Sequence, residues 1–184
     1  MNKSEANKPD WNNIQTVLLD MDGTLLDLHF DNYFWLHYVP QCYAEKNNLD
    51  FDSAYQQLTS RYKEVEGTMD WYCVDYWSQQ LDIDIPILKE QISHLIQLHP
   101  HVLDFLSWLK QQGKKRVLVT NAHQKSLAIK LKKTPLGDYL DQIISAHELG
   151  LPKEDPQFWI KLQSLIAFDP ETTILIDDNE TVLQ

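Results

Sequence analysis

Glycine is scarce in this chain. Its 184 residues hold five (Gly23, Gly67, Gly113, Gly137 and Gly150), about 3% against a usual ~7%. The nearest two, Gly137 and Gly150, stand 13 residues apart. Neither a G-x-G-x-x-G turn nor a Walker loop exists, so any phosphate is held without a glycine-rich cradle. Cysteine is scarcer still. Cys42 and Cys73 are 31 residues apart, with no C-x-x-C and no paired histidine spacing. That pattern argues against a structural zinc or redox centre and for reduced cytosolic thiols. No apolar run approaches the ~18 residues of a membrane span, and the opening MNKSEANKPDW is polar, unlike a signal peptide. G-x-S-x-G is absent, which removes the usual serine-hydrolase elbow. Positive charge is also in deficit: 16 Lys and Arg against 27 Asp and Glu give −11. A general nucleic-acid or anionic-membrane binder needs a basic face. The expectation is a soluble, cytoplasmic, acidic globular protein that binds neither nucleic acid nor membrane.

What is present builds a core. Hydrophobic residues make up 43% and aromatics 11%, enough to build a core, which argues against disorder. With ~150 residues as a guide to one domain, the length fits one core or a core carrying a smaller insert. Four short apolar runs read as buried parallel strands: 16–20, 116–120, 142–145 and 173–177. Val102, Phe105, Leu106 and Leu109 fall at helical spacing, with Gly113 closing that helix. Residues 124–133 and 156–168 read as two more helices. Strand and helix in alternation predict an α/β fold with a doubly wound parallel sheet.

The stretch 30–98 breaks this rhythm. It lacks a strong strand signal and reads as several helices, divided near 47–50, 67–70 and 82–86. Thirteen of the twenty aromatics lie in it. An all-helical insert after the first strand would lie over the strand ends. The predicted division is a core of 14–29 plus 99–184 and a helical cap of 30–98. Charge is uneven as well. Residues 110–133 hold eight of the sixteen cations and no carboxylate, which fits either solvated helix faces or local steering of an anionic substrate.

Three strands end in polar residues of a particular kind: Asp20, Thr120 and Asp177. Open α/β sheets place ligands beyond the carboxyl ends of their strands. That rule gathers Asp20, Asp22, Thr120, Asn121, Asp177 and Asp178. Clustered carboxylates repel unless a cation neutralises them, and hard oxygen ligands of this kind suit Mg²⁺. Lys153 supplies a point charge for phosphate or for the nucleophile.

Asp20-Met21-Asp22-Gly23-Thr24 resembles the DxDGT motif of the haloacid dehalogenase-like (HAD) superfamily. Thr120, Lys153 and the pair Asp177-Asp178 sit where its second, third and fourth motifs are expected. The resemblance implies a HAD-like Rossmannoid core with an inserted helical cap. It implies Asp20 as nucleophile forming an aspartyl-phosphate and Asp22 as general acid and base. Mg²⁺ would be held by Asp20, the Asp22 carbonyl and Asp178, with Asp177 in support. Thr120, Asn121 and Lys153 would bind the phosphoryl group. An Asp at position 22 resembles phosphatases and phosphomutases rather than dehalogenases. The blocks 27–35, 70–77, 120–123 and 151–155 are further similar to the bacterial GMP/IMP nucleotidase group. They imply a purine nucleoside 5′-monophosphate such as IMP or GMP as the substrate. A sugar-phosphate or phosphoglycolate phosphatase, a phosphomutase, and a catalytically silent binding protein stay open as alternatives. Family cores continue past position 184 with a helix and a strand, so the core is expected to be cut short at its C-terminal edge.

Base stacking has candidates in Phe30, Tyr33, Phe34, Trp35, Trp71, Tyr72 and Trp77. However, Trp71, Val74 and Trp77 lie at helical spacing, the usual mark of a core stripe. Asp31, Asn32 and His123 are polar residues near the expected mouth. His147 suits a local hydrogen bond, the other histidines show no ligand spacing, and both cysteines read as small packed side chains.

Overall fold

The computed structural model describes residues 9–184; most of the polar N-terminal stretch read above lies outside them. The four apolar runs form one parallel sheet in the order β3-β2-β1-β4. The strands are β1 (Thr16–Leu19), β2 (Lys115–Thr120), β3 (Gln142–Ser145) and β4 (Thr173–Ile176). Each lies within a residue of its predicted bounds. Asp20 and Asp177 fall just past their strands, in the turns that leave the sheet, rather than at the final ladder positions.

Side chains of a strand alternate between faces, and β1 shows it directly. Val17 and Leu19 join a cluster with Leu106, Leu109 and Leu127, while Leu18 joins one with Val117, Val119, Phe158 and Leu162. The first group brings α7 (Val102–Gln111) and α8 (Gln124–Lys133) onto one face. The second brings α10 (Pro156–Leu165) onto the other. That helix is three residues shorter than the predicted 156–168, because the apolar side chains Ile166 and Phe168 leave the helical path to pack beneath the sheet. The one-turn helix α9 (Ala146–Leu149) follows β3 and carries a capping box from Ser145 and Glu148.

Between β1 and β2 the chain is helical throughout. Helix α1 (His29–Tyr33) runs through a π-helical turn at Phe34–Tyr38 into α2 (Val39–Asn47). Then follow α3 (Phe51–Val65), α4 (Met69–Tyr72), α5 (Val74–Leu81) and α6 (Ile85–Gln91). The three predicted breaks fall where these helices end. Asn48 and Asp82 take left-handed φ at two helix ends, and the Asp50 and Asp84 side chains cap the helices that begin next.

Trp77 anchors the helical stretch. It is 2% exposed, donates from Nε1 to the Trp71 carbonyl at 3.0 Å, and meets Tyr62 edge to face at 5.0 Å. Phe30 and Phe34 are buried in the same apolar cluster, which reaches Val17 and Leu19 of the sheet. Trp77→Ala is expected to cost about 3–5 kcal/mol, measured as a lower urea midpoint at unchanged m-value.

Candidate active site

The register of the sheet sets the site. Leu19 pairs with Leu118 on one side and Ile176 on the other, and the Asp20 N–H donates to the Ile176 carbonyl at 2.9 Å. The chain reverses its direction of strand addition between β1 and β4, the point where such sheets open a crevice. Asp20, Thr120, Asp177 and Asp178 therefore meet at one edge despite their separation in sequence. Asn121, Asp22 and Lys153 complete a small cavity of about 110 Å³ with them.

Lys153 is the buried countercharge, with a side chain 3% exposed. Its Nζ donates to Asp20 at 2.5 Å and to Asp177 at 2.6 Å. Its backbone N–H is fixed by the Asn121 side chain at 2.9 Å. Burial pushes the Asp20 carboxyl up to about 7, with Lys153 pulling it down and Asp177 and Asp22 pushing it further up. Asp20, Asp177 and Asp178 each offer a carboxylate oxygen, all within 4.8 Å of one another. Three carboxylates against one lysine leave two formal negative charges facing one spot. Asp178 packs directly on Gly23, whose φ is +92°. A Cβ there would overlap the Asp178 carboxylate, so this glycine serves both the turn and the cluster.

The loop after β2 is held from several directions. Thr120 Oγ1 accepts from the Ala122 N–H at 3.0 Å, and Ser145 Oγ donates to the Ala122 carbonyl at 2.8 Å. Glu154 gathers its surroundings: it accepts from Asn121 at 2.9 Å, Tyr72 at 2.6 Å and Asn179 at 3.1 Å. Tyr72 belongs to the helical stretch, so Glu154 joins that stretch to the sheet edge.

Asp22 does not join the other three carboxylates. Its Oδ2 lies 2.7 Å from Lys130 Nζ, and its Oδ1 is buried without a partner. Lys130 also reaches Asp31 at 2.6 Å, and Asp31 accepts from Lys89 at 2.8 Å. Both lysines are buried against aromatic rings: Lys89 Nζ is 4.4 Å from the Phe34 centroid, and Lys130 Nζ is 5.6 Å from that of Phe30. Burial raises Asp22, against the pull of Lys130. For Asp31 burial acts the same way, yet Lys130 and Lys89 outweigh it and hold the carboxyl well below its usual range.

Every predicted site residue lines the one small cavity. One expectation changes and one is refined. His123 caps α8, approaches Asp75 at 3.8 Å and meets His147, and it also lines a small pocket with Asp22, Asp31, Trp35 and Tyr72. The basic segment 110–133 is neither a solvated face nor a steering patch alone. Lys130 is internal, Arg116 is tied to Asp141 at 2.6 Å, and Lys125 and Lys132 pair with Asp75 and Glu90. Lys130, Lys89, Glu154 and Asn179 were not singled out from sequence. Lys130 had one faint signal, its helical spacing from Ser126 and Leu127 on the buried side of α8.

A larger cavity of about 490 Å³ opens beside the carboxylates and shares Asp22, Tyr72, Asp178 and Asn179 with the smaller one. Trp35, Tyr62, Trp71 and Trp77 form its aromatic wall, with Asp31 and Asn32 at its polar side. Trp35 stands in the π-helical turn, a distortion frequent at functional sites.

The haloacid dehalogenase-like hydrolase family pattern matches residues 14–184. The chain belongs to this family. Among HAD hydrolases, the GMP/IMP nucleotidase YrfG of Escherichia coli is 43% identical over 173 residues, covering 94% of this chain and 78% of that protein. Phosphoglycolate phosphatase 1 of Pseudomonas aeruginosa is 31% identical over 85 residues, 46% of this chain and 31% of that protein. The crystal structure of a HAD phosphatase from Thermococcus onnurineus superposes with a TM-score of 0.79 at 26% identity. That match covers 91% of this chain and 79% of the other. Among the described residues no helix is long and apolar enough to cross a membrane.

The two-lysine, two-aspartate cluster yields a stability test in this HAD hydrolase. Asp31→Ala would leave Lys89 buried without its ion-pair partner and cost about 3–5 kcal/mol. Lys89→Met keeps the Asp31–Lys130 pair and is expected to cost much less. The fold holds the Asp31 carboxyl below its ordinary 3.8, so its contribution is full above that pH and shrinks as pH falls through it. Denaturant melts of wild type and Asp31→Ala should therefore converge on acidification below about pH 4.

Proposed function

We propose that the protein hydrolyses purine nucleoside 5′-monophosphates through an aspartyl-phosphate on Asp20. The observation that carries this reading is the aromatic cavity of about 490 Å³ running into the carboxylate cluster. Its walls suit a planar base, and its junction with the smaller cavity suits a phosphate carried a ribose length away. The likeness to a GMP/IMP nucleotidase supports the same substrate class.

The residues divide the chemistry. The Asp20 carboxylate attacks phosphorus as the bond to the ester oxygen breaks. Asp22, whose burial favours the protonated form, donates its proton to the leaving nucleoside oxygen. The resulting Asp22 carboxylate then takes a proton from water, whose oxygen attacks the phosphoryl group and frees Asp20. Lys153, Thr120 and the Asn121 backbone bind phosphoryl oxygens. Lys130 keeps Asp22 in place.

The donors fit a divalent metal. Hard carboxylate oxygens, two formal negative charges in excess and the Gly23 cradle beneath Asp178 suit Mg²⁺. Asp20, the Asp22 carbonyl and Asp178 would hold it, with Asp177 in support. Bound there, it screens phosphate charge from the attacking carboxylate.

Phosphate release from IMP, GMP, AMP, phosphoglycolate and hexose phosphates tests the reading. IMP and GMP are expected to give the highest kcat/KM; a preference for phosphoglycolate or hexose phosphates would overturn the substrate class. Asp20→Asn should lower turnover by about three orders of magnitude or more, and full activity in that variant would overturn the mechanism. Trp71→Ala is expected to raise KM for IMP by about tenfold, one stacking contact's worth, with a smaller change in kcat.

A further inference from the structure

A second group of metal-binding side chains lies behind the loop that follows β2. Cys73, His123 and His147 each present a ligand atom, and the three atoms lie within 4.8 Å of one another. The residues come from three separate segments. Cys73 sits between α4 and α5 of the helical stretch, His123 caps α8, and His147 lies in α9 after β3. None of them belongs to the carboxylate cluster. The two imidazoles meet edge to face with centroids 4.7 Å apart.

Two features distinguish this group from ordinary packed polar residues. The His147 Nε2 is buried and has no hydrogen-bond partner, an arrangement that costs free energy unless something binds it. The Cys73 sulfur accepts from the Tyr76 N–H at 3.4 Å, a bond that a thiolate keeps and strengthens. Burial lowers both histidines below their usual range, His147 to about 4. Each is therefore a neutral imidazole near pH 7, as a metal ligand must be.

We propose that Cys73, His123 and His147 form a binding site for a divalent cation of the zinc class. One thiolate and two imidazoles are borderline-soft donors that favour Zn²⁺ over the hard Mg²⁺ suited to the carboxylates. Binding forms one metal–sulfur and two metal–nitrogen bonds and releases the Cys73 thiol proton to solvent, with no change of redox state. The metal replaces the weak 3.3 Å contact between His123 Nδ1 and the Lys125 N–H, or the 3.8 Å approach of His123 to Asp75. A bound ion would tie the α4–α5 junction to the loops after β2 and β3. The site is independent of which phosphate ester the protein hydrolyses.

The test is Co²⁺ titration of the chelator-stripped full chain in excess Mg²⁺, which occupies the carboxylates. The expected result is a thiolate-to-cobalt charge-transfer band with tetrahedral d–d absorption, saturating at one equivalent and bleached by Zn²⁺. Cys73→Ser and His147→Gln should each lose the band, while Cys42→Ser keeps it. Zn²⁺ should raise the Tm of wild type and of Cys42→Ser but not of Cys73→Ser. Absence of the band in wild type at one equivalent would overturn the proposal. So would a band, or a Zn²⁺-dependent Tm shift, that survives Cys73→Ser. Should Cys73→Ser fail to fold, His147→Gln carries the same comparison.

Discussion

Carboxylates brought to one end of a parallel sheet repel, and the active-site region is arranged around answering that repulsion. Lys153 lies between Asp20 and Asp177 and is almost wholly buried. It is held from its own backbone by Asn121, which in turn donates to Glu154. The loops after β2 and before α10 therefore hold the shape that keeps this ammonium in position. A buried lysine is costly alone; between two carboxylates its pKa is raised, Asp20 and Asp177 overcoming the burial. Without it, the strand ends would carry like charges at close range.

A second solution to the same problem serves Asp22. Its countercharge comes from Lys130 on α8, which is shared with Asp31, which is shared again with Lys89. The aromatic residues take two parts here. Phe30 and Phe34 bury the lysines against their faces, whereas Trp35 and Trp71 turn toward the open cavity. An aromatic-rich stretch thus builds both its own core and the wall of a binding space, and the choice between core and cradle is made residue by residue.

The strands were legible because a buried parallel strand must be a continuous apolar run, and the catalytic-type residues because they follow those runs directly. Asp20, Thr120 and Asp177 are placed by local pattern plus one topological rule. Glu154 and Asn179 were hidden, since each is a commonplace loop residue until Tyr72 and Asn121 arrive beside it. Lys130 was hidden for a different reason: a lysine among other lysines on α8 looks solvated, and only the tertiary placement of Asp22 and Asp31 opposite it turns it inward. The Cys73, His123 and His147 grouping has no spacing to read, because its members lie on three segments joined only by the tertiary fold. Sequence periodicity reports which face a residue occupies, not what stands opposite.

The four-membered cluster divides two and two between the helical stretch and the sheet side. Asp31 and Lys89 belong to the helices between β1 and β2, while Asp22 and Lys130 belong to the sheet side. Within the cluster the Asp31–Lys130 pair is the one that crosses, beside the Lys125–Asp75 and Lys132–Glu90 pairs and the Tyr72–Glu154 hydrogen bond. The helical side holds Asp31 with Lys89, and the sheet side holds Asp22 with Lys130. Because Lys130 serves both carboxyls, the proton held by Asp22 is tied electrostatically to the placement of Asp31 on the helical side.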